Sequence, residues 1–155
     1  MLPVNHLFLA IQQGDFKTVQ RFLLEKGVDV VDNFHRTALM NAALYNQTTL
    51  ILWLIEQHAN LDLQDKNGYT ALHFSAQEAA IDCTKLLLKH GANPNLGDHH
   101  QNTPAWVAIM NWKAGANRAT LEELIAYKAN LKLKNKSNRT AFDLIPSTIR
   151  AALGL

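Results

Sequence analysis

At 155 residues, with 48% hydrophobic and 18% charged side chains and a formal net charge of +2, the chain has the proportions of one folded domain, which excludes a largely disordered chain. Its one cysteine, Cys83, excludes an internal disulfide and any cysteine-rich metal motif. No apolar run approaches the roughly 18 residues of a membrane span and the N-terminus lacks the basic region of a secretory signal, so a cytoplasmic location without a membrane partner is expected. In chain order, the first predicted helical segment lies within Asn5-His6-Leu7-Phe8-Leu9-Ala10. After it a Thr-led tetrapeptide recurs: Thr37-Ala38-Leu39-Met40, Thr70-Ala71-Leu72-His73, Thr103-Pro104-Ala105-Trp106 and Thr140-Ala141-Phe142-Asp143, at intervals of 33, 33 and 37 residues. A unit of that length cannot enclose its own core, so neighbouring copies must stack in a line.

The third unit shows the pattern most cleanly. Thr70 is a suitable N-cap for a short helix over Ala71 to Ala76, because its hydroxyl can accept an orphan backbone N–H. In the fourth unit Pro104 follows the Thr, at the helical position where a missing donor costs nothing. A second helix is predicted from Ile81 to His90, stopping at Gly91, which can take the left-handed conformation that ends helices. Asp65-Lys66-Asn67-Gly68 reads as a tight turn projecting from the stack. The last unit shortens after Thr140 to Ile145-Pro146 and a small helix from Ser147 to Leu153, so the first and last units read as caps.

Period, Thr opening, leucine-rich second helix, the Gly91-Ala92-Asn93 stop and the Asp65-x-x-Gly68 finger together resemble the ankyrin repeat family. The resemblance covers roughly residues 5–145. It implies an all-α solenoid of stacked helix-turn-helix repeats with projecting fingers, one domain over 1–155 with units at about 5–33, 34–66, 67–99, 100–136 and 137–155. Where the third unit has Gly91, the second and fourth carry His58 and Lys128, which must adopt left-handed geometry at some cost or end their helices differently. Those two units are expected to be the less stable.

Ankyrin-type stacks bind, by the same resemblance, through a concave groove of fingers and first helices. Repeat register then assigns the groove: Arg36, Tyr69, Asn102 and Arg139 just before each Thr; Phe34, His35, Lys66, His99, His100 and Lys136 at the finger tips; Leu44, Tyr45, Gln77, Glu78, Met110 and Asn111 on the first helices. Aromatic residues and arginine dominate interface energetics, so Phe34, Tyr45, Tyr69 and Arg36 lead the candidates for partner binding. Trp53 replaces Leu86 at a core register and Trp106 stands where His73 stands, so both are assigned to the frame. His73 itself is expected to be a structural hydrogen bonder, and Cys83, aligned with Leu50, a buried and inert thiol.

The fourth unit is longer by four residues, and the excess falls between Asn111 and Thr120, where Trp112 is either an anchor for a partner or tucked under an extra turn. Lys132, Lys134 and Lys136 alternate, which in an extended segment would place all three on one side and, with Arg139, form a basic strip for an acidic patch on a partner. The halves of the chain carry opposite charge: residues 1–78 hold 5 Lys/Arg against 8 Asp/Glu, net −3, and residues 79–155 hold 10 against 5, net +5. No aromatic residue is interleaved with the three lysines and the net charge is modest, which argues against nucleic acid.

No phosphate-binding loop, nucleophile elbow or helix-borne zinc motif occurs, Glu122 and Glu123 are consecutive, and the adjacent His99-His100 pair has no third ligand at suitable spacing. The chain is therefore expected to be non-catalytic, with no cofactor or metal. It reads as a monomeric module that binds a folded protein, as an inhibitor or immunity protein masking an enzyme or toxin, or alternatively as an adaptor or assembly subunit, or a binder of nucleic acid or another anionic surface through its basic end.

Overall fold

A computed structural model of the protein describes residues 4–112 and 117–155. Its helices fall into five consecutive pairs: α1 Val4–Gln13 and α2 Phe16–Lys26, α3 Ala38–Leu44 and α4 Thr48–Glu56, α5 Ala71–Gln77 and α6 Ile81–Lys89, α7 Pro104–Met110 and α8 Asn117–Ala126, α9 Ala141–Leu144 and α10 Ser147–Ala152. The first helices pack on first helices of adjacent pairs, α1 on α3, α3 on α5, α5 on α7 and α7 on α9, while α4 packs on α6 and α6 on α8. The fold is all-α among the described residues, and the one strand-like feature there is an antiparallel bridge between Lys134 and Thr140.

Local sequence explains why each first helix starts and stays short. Thr37, Thr103 and Thr140 are extended N-caps whose side-chain oxygens accept from the backbone N–H three residues on, at 3.2, 3.4 and 3.1 Å. The helices between them are lined with small residues: Ala38, Ala42, Ala43, Ala76, Ala105 and Ala108 are all fully buried, which lets neighbouring first helices approach closely. The second helices supply the bulk, with Ile51, Leu54, Leu87, Leu121 and Leu124 at 0% exposure. Burying such a side chain fully contributes about 1.5–3 kcal/mol relative to leaving it in water.

The second helices share one stop signal. Gly91 has φ +95°, and His58 and Lys128 at the same register have φ +61° and +66°. All three make the same pair of closing bonds: His58 to Ile55 C=O and Ala59 to Leu54 C=O, Gly91 to Leu88 and Ala92 to Leu87, Lys128 to Ile125 and Ala129 to Leu124. The left-handed stop is thus kept in the second and fourth pairs despite their side chains.

The basic strip requires correction. Residues 131–132 lie in a turn before Lys134 and residues 136–137 in the turn that the Lys134–Thr140 bridge closes, so no continuous extended segment aligns Lys132, Lys134 and Lys136 on one side. The turn at 135–138 is held by Asn135, whose side-chain oxygen accepts from Ser137 and Arg139 N–H at 3.0 and 3.1 Å. All three lysines remain exposed, as does Arg139. Of the segment expected between the helices of the fourth pair, Asn117 to Thr120 belong to α8, and residues 113–116 lie outside the described residues.

Candidate functional site

Each finger is shaped by one side chain at a fixed register. Asp32 accepts from Phe34 and Arg36 N–H at 2.7 and 2.9 Å, Asp65 from Asn67 and Tyr69 at 2.8 and 2.9 Å, and Asp98 from His100 and Asn102 at 2.8 and 2.8 Å. Asn135 repeats the pattern in the last finger. One backbone bond ties each finger to the next: Lys66 N–H to Phe34 C=O, His99 to Asn67 and Lys136 to His100, each 2.9 Å. The approach is so close at Gly68 (φ +82°) that a Cβ there would lie 2.6 Å from the His99 nitrogen.

Where the fingers meet the first helices of the second and third pairs, a cleft of about 680 Å³ opens. Arg36, Tyr69 and Asn102, three of the four residues preceding a Thr, line it, as do Leu44 and Gln77 from the first helices. Phe74, Asp65 and Asp98 complete its inner wall. Asp65 and Asp98 are each only 5% exposed.

The cleft wall is held by aromatic and charged contacts. Tyr69 stacks on His73 with centroids 4.9 Å apart and meets Phe74 edge-on at 5.4 Å. The Arg36 guanidinium lies over Phe74 at 5.0 Å and Phe34 at 5.8 Å, and its Nε is 3.4 Å from Asp65 Oδ2. Burial, reinforced by Asp98 and Asp65, pushes the Tyr69 phenol above its ordinary pKa. His73 is fully buried beneath: its Nδ1 accepts from Thr70 N–H at 3.1 Å and lies 2.9 Å from Thr70 Oγ1, while Nε2 is 3.0 Å from the Asn102 carbonyl oxygen. This network assigns the proton to Nε2. Burial holds the imidazole below its usual pKa, so it stays neutral.

The remaining candidates lie around or away from the cleft. Phe34, Tyr45 and Met110 are 64%, 39% and 60% exposed, and Lys66 and Glu78 are exposed as well. Tyr45 and Glu78 directly follow the cleft residues Leu44 and Gln77, and Phe34 reaches the cleft through Arg36. Trp112 is half-buried with Ile109, Leu144, Ile145 and Pro146 around a separate apolar cavity. Lys132 and Arg150 flank the Phe142 ring at 5.8 and 4.7 Å, and Arg139 covers the half-buried Trp106 at 5.8 Å. Trp53 packs edge-on against Phe16 at 6.1 Å.

Four residues lining the cleft, Asp65, Asn67, Phe74 and Asp98, are not among the candidates that the sequence offers, and for the two carboxylates a signal exists. The available signal was their register: Asp32, Asp65, Asp98 and Asn135 are spaced 33, 33 and 37 residues apart, as the four threonines are. The Cys83 thiol is fully buried, hydrogen-bonded to Asn46 Oδ1 at 3.1 Å, and pushed up to about 12 by burial and by Asp82, so it is unreactive as a thiolate. Among the described residues no helix is long and apolar enough to cross a membrane.

A line of short helix pairs with turn-shaped fingers on one edge and an open cleft at the finger bases defines a helical repeat scaffold. The family model for ankyrin repeats, in three copies, matches residues 4–65 and 40–135. The chain belongs to the ankyrin repeat family. It is 29% identical to ankyrin repeat protein FPV031 of fowlpox virus over 141 residues, 86% of this chain and 40% of that protein. It is 36% identical over 129 residues to zinc finger CCCH domain-containing protein 56 of Arabidopsis thaliana, 79% of this chain and 16% of that protein. Human NF-kappa-B inhibitor epsilon is 30% identical over 103 residues, 65% of this chain and 20% of that protein. The chain thus spans less than half the length of these relatives. Ankyrin repeats are protein–protein interaction modules, generally without catalytic activity.

Proposed function

We propose that this chain binds a folded protein partner through its concave surface, with the cleft at its centre, and that binding masks a functional surface of that partner. The observation that carries the reading is the convergence of Arg36, Tyr69 and Asn102, from three successive units, on one cleft flanked by the exposed Phe34 and Tyr45. Aromatic and arginine side chains held in place by the frame lose little entropy on binding and are the residue types that anchor interfaces. Lys66, Glu78 and Met110 extend the surface along the same register. The half-buried Trp112 contributes at the edge of the fourth pair, and Lys132, Lys134, Lys136 and Arg139 suit an acidic patch on the partner. That one relative is named an inhibitor of NF-kappa-B supports masking over plain assembly.

Phe34→Ala combined with Tyr45→Ala is the cleanest test, because neither ring is buried in the frame. Affinity capture from the native lysate should lose its specific protein with the double variant, by about 2 kcal/mol per anchor, while the thermal melt is unchanged. The captured protein's activity, assayed with and without stoichiometric chain, then separates masking from assembly. Capture that survives both substitutions would mean that the binding face lies elsewhere. Glutamate at Lys132, Lys134 and Lys136 tests the basic end, where nucleic acid binding that falls steeply with salt would favour the anionic-ligand reading.

A further inference from the structure

We propose that the cleft receives an arginine side chain of the protein partner, whose guanidinium pairs with the Asp98 carboxylate as Arg36 of this chain pairs with Asp65. The inference rests on the reading of the chain as a protein-binding module, and it names the chemistry that the cleft selects. It starts from a comparison of two neighbouring fingers. Asp65 and Asp98 occupy the same register, are equally buried, and hold the same two backbone N–H groups through Oδ1.

They differ in what meets the other oxygen. Asp65 Oδ2 faces the Arg36 guanidinium, supplied by the preceding finger. One unit further on, the position of Arg36 is taken by Tyr69, which carries no charge at neutral pH. Asp98 Oδ2 accepts only from the Asn102 side-chain amide, at 3.2 Å, and among the described residues Asp98 forms no ion pair. Asn102 is itself engaged by Asn135 Nδ2 at 2.9 Å, so the donors reaching Asp98 are all neutral.

A buried carboxylate with neutral donors alone gains from a cation, and a carboxylate oxygen retains capacity for a further donor. Asp98 lines the cleft, and of the charged groups there two are carboxylates and one is a guanidinium, leaving one negative charge uncompensated when the histidines are neutral. The Tyr69 ring beside it offers a plane on which a guanidinium stacks, the arrangement that Arg36 already adopts over Phe74. Guanidinium fits better than ammonium because its fork of donors can meet Asp98 while its face lies on the ring. At about 680 Å³ the cleft has room for such a side chain together with the backbone that bears it.

The test titrates N-acetyl-arginine amide and its neutral isostere, N-acetyl-citrulline amide, into the full chain. The readout is the backbone amide resonances of His100 and Asn102, which donate to Asp98. Asp98→Asn is the informative variant because Asn135 holds the same turn in the last finger with a side-chain amide oxygen, so the fold tolerates it. The expected result is saturable movement of both amides by the arginine compound, weakened about tenfold or more with citrulline and about tenfold or more by Asp98→Asn. Equal shifts with citrulline, unchanged arginine binding in Asp98→Asn, or no arginine binding at all would overturn the proposal. Partner capture separates this inference from its premise. Capture that persists with Asp98→Asn but fails with Phe34→Ala/Tyr45→Ala removes the arginine and leaves the module; a parent chain that captures no protein removes both.

Discussion

His73 shows how one side chain can serve both the helix it begins and the next unit in the stack. Its Nδ1 satisfies the Thr70 N–H and its Nε2 meets the Asn102 carbonyl of the following unit, so one buried ring joins two repeats. Replacing it by alanine leaves both backbone groups without their partner and opens a cavity under Tyr69, at a cost of about 3 kcal/mol in denaturant unfolding. The same burial gives a pH dependence of known sign. The folded pKa lies below the ordinary histidine value near 6.5, so as the pH drops beneath about 6.5 the unfolded chain binds a proton that the folded chain does not. Stability is therefore intact above that value and falls with decreasing pH until the depressed folded pKa is reached. Urea midpoints measured from pH 8 to pH 5 should fall more in the parent than in His73→Gln, and parallel curves would show that another group carries the effect. The structural role of His73 was legible from the Thr70-Ala71-Leu72-His73 motif. That Asp98 would be a cleft carboxylate without a cation was not, because this depends on which residue of the preceding finger reaches it, a contact between positions about 29 residues apart.

At the scale of the element, the second helices reveal what a repeat frame imposes on its residues. The left-handed stop persists at His58 and Lys128 because the bonds from Ala59 and Ala129 back into their helices require it, whatever side chain occupies the position. Both side chains are exposed and contribute no core contact, so the strain there has little local compensation. His58→Gly and Lys128→Gly should each stabilise the protein by about 0.5–1 kcal/mol, the relief of left-handed strain exceeding the entropy that glycine adds to the unfolded chain. Chemical denaturation of each variant checks this, and a loss of stability would mean that the side chains interact favourably in the folded state. These stops could be read from sequence register, since Gly91 marks the place. The extended segment inferred for Lys132, Lys134 and Lys136 was misread for a related reason: alternation of three lysines looks like a strand, but Asn135 between them turns the chain with the same side-chain bonds that Asp32, Asp65 and Asp98 make.

Across the whole molecule the contacts run chiefly between adjacent units, so stability should be distributed along the stack rather than shared equally. The third unit has a neighbour on each side, its α6 packs on both α4 and α8, and Leu87 of α6 is at 0% exposure. The last pair has a four-residue α9, an α10 that buries no side chain, and Ile145 at 2% exposure. Removing methyl groups at either place costs similar local packing, about 2–5 kcal/mol for substitution by alanine. The consequences differ in reach. Leu87→Ala loosens a helix that packs on both neighbouring units and should lower the main cooperative transition, with faster exchange of amides throughout α4, α6 and α8. Ile145→Ala should release α9 and α10 as a separate early step while amides of α3 to α6 keep their parental protection. Hydrogen exchange followed residue by residue distinguishes the two patterns. Uniform deprotection by Ile145→Ala would show that the stack unfolds as one unit, and the cleft, built from three units, would then depend on the last pair for its shape.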